Sequence, residues 1–207
     1  MPTRNCAYCG NSSVHLTRDH VFPANLYPDS LSRSTIQRLT VLSCSKCNGG
    51  WSDDEAHFRN VILTCGDPGP LRQELFQGPV MRSFQQLDGL RRLDELIAKF
   101  HPAPDASQTM IFPGEDQRVL RIVRKSVRGL SHHHRLLSPV HDSQVKVQIV
   151  PFTLPERFLA QLSYCDRDPD VVRYWYTTFE DPDVHSAWLV QYFRTVMFLG
   201  RVERSQS

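Results

Sequence analysis

The chain has 207 residues, 40% of them hydrophobic and 22% charged, with a formal net charge of only +2. This composition fits a folded globular protein and excludes a disordered tail or a uniform polycation. No apolar run approaches the roughly 20 residues that span a bilayer, so no membrane contact is expected, and nucleic-acid contact would need a local basic patch.

In chain order, the first feature is Cys6-Ala7-Tyr8-Cys9, matched later by Cys44-Ser45-Lys46-Cys47. A Cys-x-x-Cys turn sets two thiolates on one side of a tight bend. Two such turns supply the four sulfurs of a closed tetrahedral zinc site, which holds a fold and does no chemistry. The alternatives are disulfides or a redox motif. Disulfides suit secreted chains, and no signal peptide is visible; a thioredoxin-like motif needs one pair on a βαβ unit. Structural Zn²⁺ on Cys6, Cys9, Cys44 and Cys47 is therefore expected, and reduced thiols point to the cytoplasm. Cys65 and Cys165 read as buried thiols.

Between the knuckles, residues 15–21 read as a short strand ending at Asp19-His20. Pro23 and Pro28 mark a loop, and residues 40–43 read as a second strand. Arg33 and Arg38 face either a phosphate backbone or plain solvent. Adjacent residues of an extended segment point to opposite faces, so Asp19 and His20 can serve different atoms. Asn48 follows Cys47 directly and is pinned by the knuckle. Asp and Asn oxygens suit a hard divalent cation that keeps positions for water and phosphate. A neutral His nearby can take a proton from water near pH 7. Taken singly, these residues also read as a turn cap, a packed histidine and a knuckle-closing amide.

The pattern Cys-x-x-Cys, Asp19-His20-Val21-Phe22-Pro23, Cys-x-x-Cys-Asn resembles the HNH (His-Me finger, ββα-metal) endonucleases, and among them the four-cysteine zinc branch. The resemblance covers roughly the first 65 residues. It implies a β-hairpin followed by a helix around one catalytic Mg²⁺ or Mn²⁺. It also implies His20 as general base, Asp19 and Asn48 as ligands of the catalytic metal, and DNA products with a 5′-phosphate and a 3′-hydroxyl. One departure stands out. The family usually carries a middle Asn shortly before the second knuckle, and residues 38–43 have none. Thr40 or a backbone carbonyl would have to orient His20 instead.

Beyond Asn48, Ser52 and Glu55 form a Ser-x-x-Glu capping box at a predicted helix start. Asp53 and Asp54 suit the positive end of the helix dipole. These acids either cap or reach the catalytic metal, and His57 is either a further ligand or an exposed helix residue. Phe58, Val61, Ile62 and Cys65 give the apolar stripe, and Gly66 and Pro68 stop it. The Gly- and Pro-rich residues 67–80 are expected to link a first domain (1–66) to a second (81–207), with a short helix around Leu71 to Phe76 inside the linker. Leu87, Leu90, Leu93, Ile97 and Phe100 predict one amphipathic helix over residues 83–100.

Residues 115–130 predict another helix. Arg118, Arg121, Arg124, Lys125 and Arg128 share a third of its wheel, opposite Val119, Leu120, Ile122, Val123 and Val127. An acid-free basic face suits DNA phosphates; a solvated face is the alternative. His132, His133 and His134 follow, with no metal assigned. Residues 145–149, 171–179 and 187–202 read as strands, and 156–164 as a short helix. The fold class expected is α+β: an N-terminal ββα-metal finger stapled by zinc, then a helical and β-rich C-terminal domain. The function expected is a metal-dependent endonuclease hydrolysing DNA phosphodiester bonds. The alternative is a catalytically inactive zinc-stapled module that binds DNA or an acidic protein.

Overall fold

The computed structural model describes residues 5–31, 38–65, 69–103, 110–168 and 170–204. Arg33 and the helix stop at Gly66 and Pro68 lie outside them.

The chain is a mixed helix and sheet protein of α+β type. Strands β1 (Leu16–His20) and β2 (Thr40–Cys44) form an antiparallel hairpin, with Leu16 opposite Cys44, Asp19 opposite Val41 and His20 opposite Thr40. A single turn, α1 (Ser45–Asn48), follows and leads to α2 (Ser52–Thr64). The expected apolar stripe of α2 is buried at Phe58, Val61 and Ile62.

The expected capping box does not form. Trp51 occupies the N-cap, its side chain makes no capping bond, and Ser52 lies one residue inside the helix. The Glu55 side chain is committed elsewhere, to Lys125. The other end of α2 is closed by tertiary structure. The buried Arg72 guanidinium donates to the carbonyls of Ile62, Leu63 and Cys65, which satisfies orphan acceptors of the last turn.

The described part of the expected linker is helical. Helix α3 (Pro70–Leu75) has Pro at its first turn and continues through a π-turn (Phe76–Val80) into α4 (Met81–Phe84). Leu75 and Val80 are buried in the same core as the flanking segments, and this burial holds in order a stretch whose Gly and Pro content suggested a loop. The helix expected over residues 83–100 is broken: α5 spans only Gly89–Ile97. Leu87, Leu90 and Ile97 are exposed, and Leu96 is the leucine that enters the core. A short pair, β3 (His101–Pro102) with β4 (Met110–Ile111), comes next.

The centre of the molecule is α6 (Gln117–His133). Asp116 caps it, its Oδ1 accepting from the backbone N–H groups of Arg118 and Val119, each at 3.0 Å. The C-terminal sheet has the order β5-β9-β8-β7-β6. Its strands are β5 (Val145–Ile149), β6 (Ser163–Asp168), β7 (Val172–Thr178), β8 (Val184–Tyr192) and β9 (Val196–Glu203), with the short helix α7 (Glu156–Leu159) before β6. The apolar run expected as one element is therefore two strands, β8 and β9, reversed at Phe193 and Arg194, both at positive φ.

Two glycines let α6 lie between the hairpin and the sheet. A Cβ on Gly129 of α6 would stand 3.0 Å from the Val21 side chain, and one on Gly200 of β9 would stand 2.7 Å from that of Val127. One continuous core consequently runs from Cys6, Tyr8 and Val21 to Trp188, Tyr192 and Phe198. The two regions expected as domains 1–66 and 81–207 share it. A second, smaller cluster of Trp175, Leu189 and Met197 lies on the other face of the sheet. Among the described residues, no helix is long and apolar enough to cross a membrane.

Candidate metal centres

The four cysteines meet where sequence spacing places them. Cys6 and Cys9 flank a turn closed by the Gly10 N–H on the Cys6 carbonyl, at 2.9 Å. Cys44 ends β2, and Cys47 sits in α1. The Trp51 indole N–H donates to the Cys47 carbonyl and fastens α1 to the start of α2. All four Sγ atoms lie within 4.8 Å of one another. The Cys9 and Cys44 sulfurs are 3.9 Å apart. A disulfide requires about 2.05 Å, whereas sulfurs about 2.3 Å from a tetrahedral zinc stand about 3.8 Å from each other.

The thiols of the cluster do not ionise alike. Burial works against the Cys6 thiolate, but the backbone N–H groups of Cys44, Cys9 and Tyr8 outweigh it and bring its pKa down to about 6. Cys47 is pushed the other way, first by burial and then by its neighbours Cys44 and Cys9. Without a cation, thiolates so close together oppose one another's ionisation. The cluster can hold a metal ion such as zinc, whose ligands must be deprotonated.

A second cluster of polar side chains is built on the same hairpin. Asp19 and His20 close β1; Asp19 faces the interior and is 5% exposed, while His20 is half-buried. Asp19 Oδ1 accepts from Lys125 Nζ at 3.0 Å, and the same ammonium donates to Glu55 Oε1 at 2.8 Å. Asp19 Oδ2 is buried and has no hydrogen-bond partner among the described residues. Burial raises the Asp19 pKa above the usual carboxylate value; Lys125 opposes the shift, and the Glu55 charge adds to it. The Tyr8 hydroxyl favours the Asp19 carboxylate by proximity without completing a hydrogen bond.

Burial, and then the charge of Arg38, hold the His20 imidazole below its ordinary pKa, so it is neutral at pH 7. Thr40 lies directly across the hairpin, but His20 Nδ1 is buried and unpartnered among the described residues. Asn48 donates through Nδ2 to Thr17 Oγ1 at 3.0 Å, and that hydroxyl donates to the Ser43 carbonyl at 3.3 Å. Thr17 and Asp19 share one face of β1, about 7 Å apart along the strand. Asn48 is thereby tied to the same strand that carries Asp19.

The basic face of α6 requires a correction. Lys125 is 1% exposed and Arg128 is buried, so neither belongs to an open phosphate-facing surface. Arg128 donates to the carbonyls of Val140 and Tyr8, and its guanidinium lies over the Tyr8 ring. Arg118 and Arg121 both bind the Asp54 carboxylate, and Arg121 stacks over Trp51. Arg124 pairs with Asp142. The stripe is basic because it faces the acidic start of α2 and the backbone carbonyls of the first knuckle. Asp54 is held by Arg118 and Arg121, and Glu55 by Lys125. His57 lies 3.3 Å from Asp116, which also pairs with Lys99. His132 and His134 turn to different partners, Ser138 and Tyr174.

Sequence reasoning missed Tyr8, Arg72, Asp116 and the Lys125 link. The one available signal was a lysine on an otherwise arginine-only stripe. Comparison with protein-family models, characterised proteins and solved structures returned no match for this chain.

Proposed function

We propose that the protein is a metal-dependent endonuclease that hydrolyses DNA phosphodiester bonds. One observation carries this reading: Asp19 and His20 close a hairpin strand beside the four-cysteine cluster, and the buried Asp19 carboxylate has one oxygen on a cation and one unpartnered. A β-hairpin, the second cysteine knuckle and helix α2 follow one another along the chain, which supports this reading. A carboxylate and an amide oxygen from Asp19 and Asn48 suit Mg²⁺ or Mn²⁺. Such an ion, when bound, supplies Lewis-acid stabilisation of the charge on the scissile phosphate and on the leaving 3′-oxygen.

The remaining work falls to the chain itself. His20 points to the opposite face of β1 from Asp19, so its imidazole can accept a proton from water without competing for the ion. Thr17 holds the Asn48 side chain in place. The cysteine cluster fastens the end of the hairpin where Leu16 pairs with Cys44, and His20 pairs with Thr40 at the other end.

The test is cleavage of supercoiled plasmid with Mg²⁺ or Mn²⁺, wild type beside His20→Ala, with EDTA controls. Nicking that falls roughly 10²- to 10⁴-fold in the variant supports the reading. Equal nicking by both proteins removes His20 from the chemistry. A second reading is favoured by Lys125, which already neutralises part of the Asp19 and Glu55 charge: a zinc-stapled module that binds DNA and does not cut. It requires DNA binding that weakens steeply with salt and no cleavage by folded, zinc-loaded protein.

A further inference from the structure

The Lys125 ammonium is the least expected group in the molecule. Lysine is almost never fully buried unless paired, and burying a charge requires close compensation. Here the compensation comes from two carboxylates on different elements, Asp19 of β1 and Glu55 of α2, at 3.0 and 2.8 Å. Two carboxylates face one ammonium, the Asp19 group buried and the Glu55 side chain 20% exposed, so the cluster carries one more negative than positive charge, and Asp19 Oδ2 has no hydrogen-bond partner among the described residues. The other cations of α6 are committed: Arg121 to Asp54, Arg124 to Asp142, Arg128 to backbone carbonyls. A doubly charged ion at this position would close the deficit that a lysine leaves.

We propose that Lys125 is a tethered cation that holds the place of the divalent ion at Asp19, so that α6 gates metal loading of the hairpin. This rests on the reading of Asp19 as a metal ligand given above. Lys125 is then a positioning residue: its ammonium keeps the buried carboxylates compensated while no metal is bound, and it withdraws when the ion enters. The lysine stem is flexible, and where it binds the two carboxylates its ammonium also lies 5.4 Å from the centroid of the Trp51 ring, a cation–π contact that the ring shares with Arg121. The C-terminal half of the chain would thereby control a site whose other residues belong to the first 55.

Two measurements on the full, zinc-loaded chain test this. The first is amine acylation of wild type with and without saturating Mn²⁺, read by mass spectrometry. Lys125 should be protected without Mn²⁺ and gain about tenfold or more in labelling with it, while the exposed Lys46 stays unchanged as an internal control. The second is Mn²⁺ affinity by electron paramagnetic resonance. Lys125→Met should bind about tenfold or more tightly than wild type, roughly the effect of removing one competing charge interaction. Asp19→Asn should lose the ion in either background.

Mn²⁺ that binds through Asp19 while Lys125 stays protected, with equal affinity in wild type and Lys125→Met, would make Lys125 a plain structural clamp. The gate would then be overturned and the metal reading would survive. No Mn²⁺ binding by either wild type or folded Lys125→Met would overturn the metal reading and the gate with it. If Lys125→Met does not fold, labelling of the wild type decides by itself.

Discussion

The two candidate cation sites sit on one hairpin and are assembled in opposite ways. The cysteine cluster draws its four ligands from two short turns, and each ligand pair is set by local backbone. The Asp19 centre takes one residue from β1, one from α2 and one from α6. A site made of local turns can be read from spacing. A site made across elements depends on how helices pack, and its cation is a side chain that no spacing rule identifies.

That contrast can be broken or sharpened by mutation. The largest effect is expected at the local site. Cys44→Ser should abolish cooperative unfolding and metal content together, because structural zinc contributes on the order of 10 kcal/mol or more to a small metal-dependent fold. Circular dichroism with metal analysis checks it; a folded, metal-free variant would show that the single large core suffices without the cluster.

Next comes the tertiary site. Lys125→Ala leaves the buried Asp19 carboxylate without its cation and should lower stability by about 3–5 kcal/mol in urea unfolding. A loss under 1 kcal/mol would mean that solvent reaches both carboxylates when the lysine is gone.

A smaller effect is expected where α6 begins. Asp116→Ala removes the N-cap and should cost about 0.5–2 kcal/mol. Burial works against the Asp116 carboxylate, but His57, Lys99 and the Val119 N–H hold it well below the usual carboxylate range. Its stabilising contribution is therefore complete above the unfolded value of about 3.9 and is lost as pH falls toward the lower folded value. Urea midpoints between neutral pH and strong acid should fall less steeply in Asp116→Asn than in wild type. The smallest effect belongs to the rim of the α6 interface. Arg118 is partly exposed, and Arg118→Ala should cost no more than about 1 kcal/mol.

Much of the fold was legible because its signals are local. Alternating Val145, Val147 and Ile149 became β5, and the helical spacing of Val119, Leu120, Ile122, Val123 and Val127 became the buried side of α6. What failed did so for a common reason. Ser52 and Glu55 have capping-box spacing, yet Glu55 is drawn to a lysine that arrives from far along the chain. The leucines at 87 and 90 have helical spacing, yet no element packs against them among the described residues and Leu96 enters the core instead. Gly78 and Pro79 read as a linker, yet burial of Leu75 and Val80 keeps the chain helical through them.

By itself, the sequence determined the cysteine cluster, the hairpin bearing Asp19 and His20, and the positions of most helices and strands, because turn spacing and side-chain periodicity act over a few residues. Only the tertiary structure decided that one core spans both halves, that the basic face of α6 lies against the acidic start of α2, and that Lys125 sits between Asp19 and Glu55. Charge carries no address in a sequence; its partner is whichever opposite charge the packing of apolar faces brings within reach.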